Sequence, residues 1–179
     1  AAAGGMGLIL CQWAKALGAK VVGTVSTHEK ADVARAAGCH YPVVRSEKSF
    51  VDVVREVTDG EGCAVVYEAI GKDTMQQSLD SLRPMGVCAA YGHVSGPPDP
   101  IDIIQDLGRR GSLFITRPAI MHYVAKRSDL EWTARDLFKA IGEGVLQANI
   151  NYEYALKDAV KAHGAIESGK TLGATVLVP

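Results

Sequence analysis

The sequence lacks the features that mark several large classes of protein. Its formal net charge is only −1 over 179 residues, so no basic surface for nucleic acid or an anionic membrane is expected. No apolar run approaches the roughly 20 residues that a membrane-spanning helix needs. No signal peptide is visible, although a chain that begins at Ala1 can have lost its original N-terminus. What remains is an ordinary globular composition, 47% hydrophobic, with a length that allows one domain or slightly more.

Metal-ligand spacing is also missing. The four cysteines lie far apart, with no CxxC pair, and the five histidines form no HxxxH or HExxH motif. Neither a zinc site nor a disulfide framework is therefore expected. Isolated thiols in helix and strand patterns favour buried free cysteines in a reducing compartment, and hence a cytoplasmic protein. These cysteines are Cys11, Cys39, Cys63 and Cys88.

A glycine-rich turn opens the chain and leads directly into an apolar helix pattern. Ala2, Gly4 and Gly7 have the spacing AxGxxG, a relaxed form of the dinucleotide fingerprint GxGxxG. Such a turn places backbone N–H groups and the positive end of a helix dipole where a pyrophosphate can bind. Glycine-rich turns are common, so the motif alone does not identify a dinucleotide site. The fingerprint normally follows a strand, and here nothing precedes it.

Strand and helix patterns alternate as far as residue 118. This alternation predicts an α/β fold with a doubly wound parallel sheet of the Rossmann type. Residues 63–70 are almost continuously apolar, as in a strand that is covered on both faces. The predicted strands are 20–25, 41–44, 63–70, 87–91 and 112–116, and the predicted helices are 8–17, 29–37, 50–57, 73–82 and 101–107.

Counting the strands exposes a gap at the centre of the predicted sheet. Against the order 3-2-1-4-5-6, the five strands correspond to strands 2 to 6, and the central first strand is absent. Without it the sheet would divide between strands 2 and 4, so we expect the chain to be a piece of a longer protein. The rhythm changes after about residue 120, which predicts a domain boundary near residue 124. Beyond it we expect helices at 130–141 and 157–167, an extended segment at 150–154 and a strand at 175–178.

The residues after the predicted second strand decide which nicotinamide cofactor fits. An acidic residue there would bind a ribose 2′-OH and repel a 2′-phosphate. This chain instead has Ser26, with Lys30 one helical turn later and Arg45 after the neighbouring strand. Hydroxyl, ammonium and guanidinium groups suit a phosphate dianion, which favours NADP(H). Taken singly, Ser26 could be a helix cap and the two cations could be surface charges. Glu29 argues against a phosphate site, although on a helix its side chain can point away.

Two further strands end in glycine. The predicted strands 4 and 5 run into Ile70-Gly71 and Tyr91-Gly92-His93. Ligands of such folds bind outside the carboxyl ends of the strands, and glycine lets the backbone lie against a ribose or a nicotinamide ring. His93 is a candidate ligand contact and a less favoured proton donor. Plain turn glycines and a solvent-facing loop histidine remain the alternative.

Several longer stretches resemble a known family, and the resemblance covers the whole length of the chain. They are residues 1–30, which begin AAAGGMG, residues 67–74 (YEAIGKDT), residues 79–84 (LDSLRP) and residues 111–118 (GSLFITRP). They resemble the zinc-free, ζ-crystallin-like quinone oxidoreductases of the medium-chain dehydrogenase/reductase superfamily. The resemblance implies NADPH-dependent hydride transfer to quinones or related enones and carbonyl compounds. As the near-neutral net charge already indicates, we expect no nucleic-acid or membrane partner.

The resemblance also implies a domain plan and an assembly. Residues 1–124 would be the NADP(H)-binding Rossmann domain, lacking its first strand. Residues 125–179 would be the C-terminal part of a catalytic domain whose N-terminal portion is absent, so that the strand at 175–178 would lack its neighbours. Members of the family are usually homodimers, with the strand 112–116 pairing across the dimer.

Cofactor contacts follow from the resemblance by position. Arg45 stands where the family often has a tyrosine for the 2′-phosphate, and His93 stands where many members have an asparagine beside the nicotinamide ribose. Gly169 replaces a basic residue of some members, and Lys170 could substitute for it. No catalytic residue is assigned, because substrate contacts come largely from the absent part. The remaining matched positions are Gly4, Gly5, Met6 and Gly7 at the pyrophosphate, Ser26 and Lys30 at the 2′-phosphate, and Phe114, Ile115 and Thr116 near the nicotinamide.

Three alternatives stay open at the level of sequence. A zinc-dependent alcohol dehydrogenase of the same superfamily would contain bound zinc. A non-catalytic NADPH-binding or crystallin-like protein would bind the cofactor without turnover. A methyltransferase also uses a glycine-rich turn, but it normally needs an acidic residue after the second strand, where this chain has Ser26 and Thr27.

Overall fold

The computed structural model of the protein describes residues 1–169 and 171–179. Its helices are α1 (Gly5–Ala16), α2 (His28–Ala36), α3 (Phe50–Val57), α4 (Met75–Asp80), α5 (Ile120–Tyr123), α6 (Arg127–Gly142) and α7 (Ala159–Glu167). Its strands are β1 (Val22–Val25), β2 (Tyr41–Val44), β3 (Cys63–Glu68), β4 (Leu82–Ala90), β5 (Phe114–Thr116), β6 (Ile150–Ala155) and β7 (Ala174–Val178). A π-helical turn spans Ile103–Gly108, and a 3₁₀ turn spans Leu156–Asp158.

The chain divides into two compact units. The first unit comprises residues 1–47 and 136–179, and the second comprises residues 48–135. The predicted division at residue 124 concerns which segments serve the cofactor and which serve the substrate, and it stays a prediction.

All strand pairs in the described residues are parallel, as the alternating pattern predicts. The first unit contains the pairs β1–β2 and β6–β7, and the second unit contains a three-stranded sheet in the order β3-β4-β5. The α/β class with parallel sheets is thereby confirmed, as is the grouping of the predicted strands into a pair and a trio. The expectation that the terminal strand lacks a neighbour is wrong. β7 pairs with β6, because the extended segment around Tyr152 and Tyr154 is itself a strand.

Small residues let α1 pack closely in the first unit. Leu8 and Cys11 are buried on the inner side of the helix, and Cys11 packs in the same cluster as Cys39 and Ala34. A Cβ on Gly7 would overlap the carbonyl oxygen of Ala1 and lie 2.7 Å from the carbonyl carbon of the next residue. Only glycine therefore allows this approach. A hydrogen bond that the Cys39 thiol donates to the Cys11 sulfur, together with burial, raises the pKa of the Cys39 thiol.

The core of the second unit lies between α4 and its sheet. Leu79 and Cys88 are almost fully inaccessible, with 1% and 0% of their surface exposed, and they pack with Met75, Leu82 and Leu113. Burial, with a smaller contribution from the charge of a nearby glutamate, raises the pKa of the Cys88 thiol to about 12. All four cysteines are free, and Cys63 alone among them is only half-buried.

Three local features differ from the sequence-based expectations. β4 begins at Leu82 rather than at residue 87, because Leu82 pairs with Cys63 before a register shift. The helix expected at 101–107 is π-helical and starts after Asp102, whose carboxylate accepts hydrogen bonds from two following amides. Val65 and Tyr67 are exposed, although β3 was expected to be covered on both faces.

No helix in the described residues is long and apolar enough to cross a membrane.

Candidate functional site

The N-terminus of α1 has no side-chain cap. Gly4 is the N-cap residue in extended conformation, and it supplies no side chain to the first turn. The amides of Gly5, Met6 and Gly7 have no acceptor within the helix, because the first turn of any α-helix leaves its N–H groups unpaired. No acidic side chain lies in this turn. The sequence therefore folds into a helix end that presents backbone donors and a positive dipole end to an anion.

Register brings Ser26 and Arg45 side by side. Val25 pairs with Val44 at the ends of β1 and β2, and the Arg45 amide donates to the Val25 carbonyl at 3.1 Å. Both Ser26 and Arg45 are exposed. Their side chains make no hydrogen bond or ion pair to any residue that the structure describes. A hydroxyl and a guanidinium are therefore available together at the carboxyl end of this sheet.

The helix cap of α2 is Thr27 and not Ser26. The Thr27 hydroxyl accepts a hydrogen bond from the Lys30 amide at 3.2 Å. The alternative in which Ser26 serves as the cap is thus wrong. Extended backbone at Thr27 turns its side chain back toward the helix, which leaves the Ser26 hydroxyl for another partner.

Lys30 reaches across to the C-terminal segment of the same unit. Its ammonium nitrogen donates to the carbonyl oxygen of Gly169 at 2.5 Å, which uses one of its three N–H donors. The predicted substitution by Lys170 lies outside the described residues. The Glu47 carboxylate lies 2.8 Å from Nε2 of His28, which begins the same helix. Lys30 therefore keeps two donors, and the role of position 169 in cofactor binding stays a prediction.

The second unit brings together the candidate residues at the ends of β3 and β4. The turn after β3 and the turn after β4 interlock through backbone hydrogen bonds from Val94 to Ala69 and from Ser95 to Ile70. Gly71 has a positive φ of 91°, and a Cβ there would lie 3.0 Å from the Cα of His93. Two predicted segments that are 20 residues apart in sequence thus form one surface.

Glycine is also required on the other side of this contact. A Cβ on Gly92 would lie 2.5 Å from the carbonyl oxygen of Ala69. The amides of Tyr91 and Gly92 both donate to the carbonyl of Glu68, at 2.9 and 3.2 Å. The backbone at the end of β4 therefore packs closely against the backbone at the end of β3.

Glu68 was assigned no role from the sequence. Its carboxylate is 3% exposed and accepts hydrogen bonds from the amides of Ile70 and Gly71, at 2.6 and 3.1 Å. It also accepts from the hydroxyls of Thr74 and Ser78 on the α4 side. The available signal was an acidic residue at the end of an apolar strand, followed by two hydroxyl residues at helical spacing.

His93 lies beside a second side chain that sequence analysis did not single out. Arg117 donates to the carbonyl of Ala90 at 2.7 Å, and its other terminal nitrogen lies 3.3 Å from Nδ1 of His93. These residues line a cavity of about 200 Å³ together with Met75 and Pro98. The cavity lies directly at the turn after β4, and it combines an apolar wall with one cation.

The three candidates on β5 are not equivalent. Phe114 and Thr116 are exposed, whereas Ile115 packs against the buried cluster of this unit. They pair with Val87 to Ala89 of β4. The candidate residues thus fall into two groups, one in each compact unit, and each group is described only by contacts within its own unit. No cluster of three or more His, Cys, Asp or Glu side chains in the described part of the chain could hold a metal ion.

Comparison with known proteins gives the family. The family of zinc-binding dehydrogenases matches residues 5–137. The chain is 53% identical over its whole length to a 2-haloacrylate reductase of Burkholderia sp, and 44% identical to a quinone oxidoreductase of Salmonella typhimurium. It covers 54% and 55% of these two proteins, so it spans about half the length of its relatives.

A solved structure agrees with this assignment. The crystal structure of Escherichia coli quinone oxidoreductase complexed with NADPH superimposes on the chain with a TM-score of 0.94 at 41% identity. The superposition covers all of this chain and 55% of that one. The chain belongs to the zinc-binding dehydrogenase family and, within the medium-chain dehydrogenase/reductase superfamily, groups with the quinone oxidoreductases.

Proposed function

We propose that this chain is the NADPH-binding part of a reductase that transfers a hydride to quinones or related enones and carbonyl compounds. The observation that carries the proposal is the group Ser26, Lys30 and Arg45 beyond the ends of β1 and β2. It offers a hydroxyl, a guanidinium and the two ammonium donors of Lys30 that its bond to Gly169 leaves over. A ribose 2′-phosphate is the part of NADPH that NADH lacks, and it is the dianion these donors suit. A relative with 41% identity was crystallised with NADPH, which supports the same cofactor here.

The pyrophosphate would be held by the start of α1. The first-turn amides at Gly5, Met6 and Gly7 would donate to its oxygens, with Gly4 leaving the approach clear. These residues fit the group, because the turn has neither a side-chain cap nor an acidic residue. Their role is binding and orientation.

The nicotinamide ribose would be held by the second group. Ile70, Gly71, Tyr91, Gly92 and His93 would line it from the interlocked turns. Phe114, Ile115 and Thr116 would lie near the nicotinamide, with the Phe114 and Thr116 side chains and the Ile115 backbone as the contacting parts. When bound, NADPH supplies the hydride, and this chain orients the ring and excludes water.

A second candidate substrate class comes from one relative. The protein with 53% identity is a 2-haloacrylate reductase, so α,β-unsaturated carboxylates are proposed beside quinones. Both classes present an activated double bond to a hydride donor. The zinc-dependent dehydrogenase and the non-catalytic alternatives have no comparable support.

The domain plan, assembly and location are part of the same proposal. We propose that residues 1–124 serve the cofactor and that residues 125–179 belong to the substrate-binding part of the longer enzyme. β5 is the edge strand of its described sheet and carries the exposed Phe114, which supports a homodimer formed through this strand. Four free cysteines support a reducing, cytoplasmic location.

The test is NADPH oxidation by the full-length protein with a panel of quinones, enones and 2-haloacrylates. We expect NADPH consumption matched by product formation with at least one of these classes. Cofactor binding without turnover on the whole panel would support the non-catalytic alternative instead. Bound stoichiometric zinc with alcohol oxidation would support the zinc-dependent one.

A further inference from the structure

Glu68 is the only charged side chain that is buried among the residues the structure describes, at 3% exposure. Burial of a carboxylate is costly unless hydrogen bonds replace its water. Here every replacement comes from a neutral donor: the amides of Ile70 and Gly71 on one side, and the hydroxyls of Thr74 and Ser78 on the other. A buried anion that is satisfied only by dipoles fixes the directions of those dipoles.

Two of these dipoles belong to the turn proposed to line the nicotinamide ribose. Glu68 Oε1 accepts from the Ile70 amide at 2.6 Å and from the Gly71 amide at 3.1 Å, although the two amides are consecutive in sequence. Both N–H vectors must converge on one oxygen, which sets the backbone of the turn. Gly71 has a φ of 91° in this turn.

The turn at 69–71 also fixes the position of the segment that carries His93. The Lys72 amide donates to the Gly96 carbonyl at 3.1 Å, and the Ser95 hydroxyl donates to the Ile70 carbonyl at 2.8 Å. A movement of the turn would therefore move the neighbouring segment with it.

We propose that Glu68 is a positioning residue for the nicotinamide half of the cofactor. Its carboxylate holds the turn at 69–71, and through that turn the segment at 92–96, in the conformation that receives the ribose. Glu68 does not touch the cofactor itself. This inference rests on the proposed NADPH function and adds to it a residue that the cofactor contacts alone would not reveal.

The direct test is Glu68→Gln. Glutamine has the same shape, and its amide oxygen can still accept from the two turn amides, while its NH₂ group can face hydroxyls that rotate to accept. The variant thus keeps the fold but replaces charge-assisted hydrogen bonds by neutral ones of roughly half the strength. The control is Ser81→Ala, because Ser81 is equally buried on the same helix region and donates to Gln77 without touching Glu68.

Two ligands separate positioning from a general loss of structure. NADPH presents the nicotinamide half, whereas adenosine 2′,5′-bisphosphate lacks it. The bisphosphate presents only the 2′-phosphate proposed for Ser26, Lys30 and Arg45 and the 5′-phosphate proposed for the start of α1. For Glu68→Gln we expect about tenfold weaker NADPH binding with unchanged affinity for the bisphosphate. Amide exchange at Ile70 and Gly71 should also accelerate in the absence of any ligand. Ser81→Ala should change neither affinity.

Three results would overturn the inference. They are wild-type NADPH affinity in Glu68→Gln, an equal loss for both ligands, and unchanged exchange at the two turn amides. If Glu68→Gln does not fold, Ser78→Ala removes one donor to the same carboxylate and decides by the same criteria, with a smaller loss. Failure of the wild-type protein to bind NADPH at all would be a failure of the proposed function, and the exchange measurement would still test the hold on the turn.

Discussion

The ammonium nitrogen of Lys30 donates a hydrogen bond to the carbonyl oxygen of Gly169 at 2.5 Å. Lys30 lies in the first turn of α2 and Gly169 follows the end of α7, yet the two residues are in contact. By the resemblance, position 169 is one where some members of the family carry a basic residue. The contact supports the view that both segments face the same phosphate, with the lysine now supplying the charge.

Replacement of the two cations should weaken NADPH binding selectively. Lys30→Ala and Arg45→Ala each remove a charge-assisted hydrogen bond worth about 1.5–3 kcal/mol, or roughly a tenfold to hundredfold loss of NADPH affinity. NADH affinity should stay the same, because NADH lacks the phosphate. Calorimetric titration with both cofactors measures this. Lys20→Ala is the matched control, because Lys20 is exposed and precedes β1, at the opposite end of the strand. Equal losses of NADH and NADPH affinity would show that Lys30 and Arg45 stabilise the fold and do not bind the 2′-phosphate.

The neighbouring hydroxyls Ser26 and Thr27 should separate binding from stability. Thr27→Ala removes the cap of α2 and should lower the free energy of unfolding by about 1 kcal/mol, with NADPH affinity little changed. Ser26→Ala should do the reverse, because its hydroxyl caps nothing. Urea denaturation and NADPH titration of both variants test the pair. A loss of stability in Ser26→Ala and none in Thr27→Ala would contradict the structure.

Gly7→Ala should strongly destabilise the first unit. The new Cβ would overlap the carbonyl of Ala1 and lie 2.7 Å from the carbonyl carbon of Ala2, which is backbone that cannot move aside like a side chain. We expect a loss of about 1–3 kcal/mol or more, as for other overpacked sites. Gly164→Ala is the control. Gly164 has open space around it in α7, so alanine should stabilise by about 0.5–1 kcal/mol. An equally stabilising Gly7→Ala would show that the close approach does not exist.

The buried thiol of Cys88 should lower the free energy of unfolding at high pH. Burial first, and the Glu68 charge second, raise its pKa from 9.0 to about 12. Between pH 9 and 12 the unfolded chain therefore loses the thiol proton while the folded chain keeps it, and the free energy of unfolding falls as the pH rises. The stabilising effect is complete below pH 9. Urea midpoints at pH 8 and 10.5 should fall further for the wild type than for Cys88→Ala. Equal falls would mean that this thiol does not contribute.

The sequence predicts the local elements well where periodicity is self-contained. Strand 41–44 and helix 50–57 are found at the predicted positions. Their local patterns of apolar residues are sufficient to define a strand or a helix without help from the rest of the fold. The start of β4 was missed, since it depends on pairing with Cys63 rather than on its own Arg83-Pro84 segment. The partner of β7 was missed for the same reason, because pairing is decided by tertiary structure.

The candidate site was predictable in part. Ser26, Lys30 and Arg45 follow strand ends, and parallel strands bring their carboxyl ends to one edge, so sequence order suffices to group them. The choice of Thr27 over Ser26 as the cap depends on backbone angles that two adjacent hydroxyl residues do not reveal. The sequence signal for Glu68 was only partial, because its two amide donors, at Ile70 and Gly71, converge on the carboxylate only once the turn at 69–71 has formed.

The central claim is that this chain binds NADP(H) through the 2′-phosphate. Titration of the wild-type protein with NADPH and with NADH, under the same buffer and salt, tests it most directly. We expect NADPH to bind at least about tenfold more tightly, a difference of about 1.4 kcal/mol that disappears in the Lys30→Ala, Arg45→Ala double variant. Equal affinities for the two cofactors in the wild type would contradict the account.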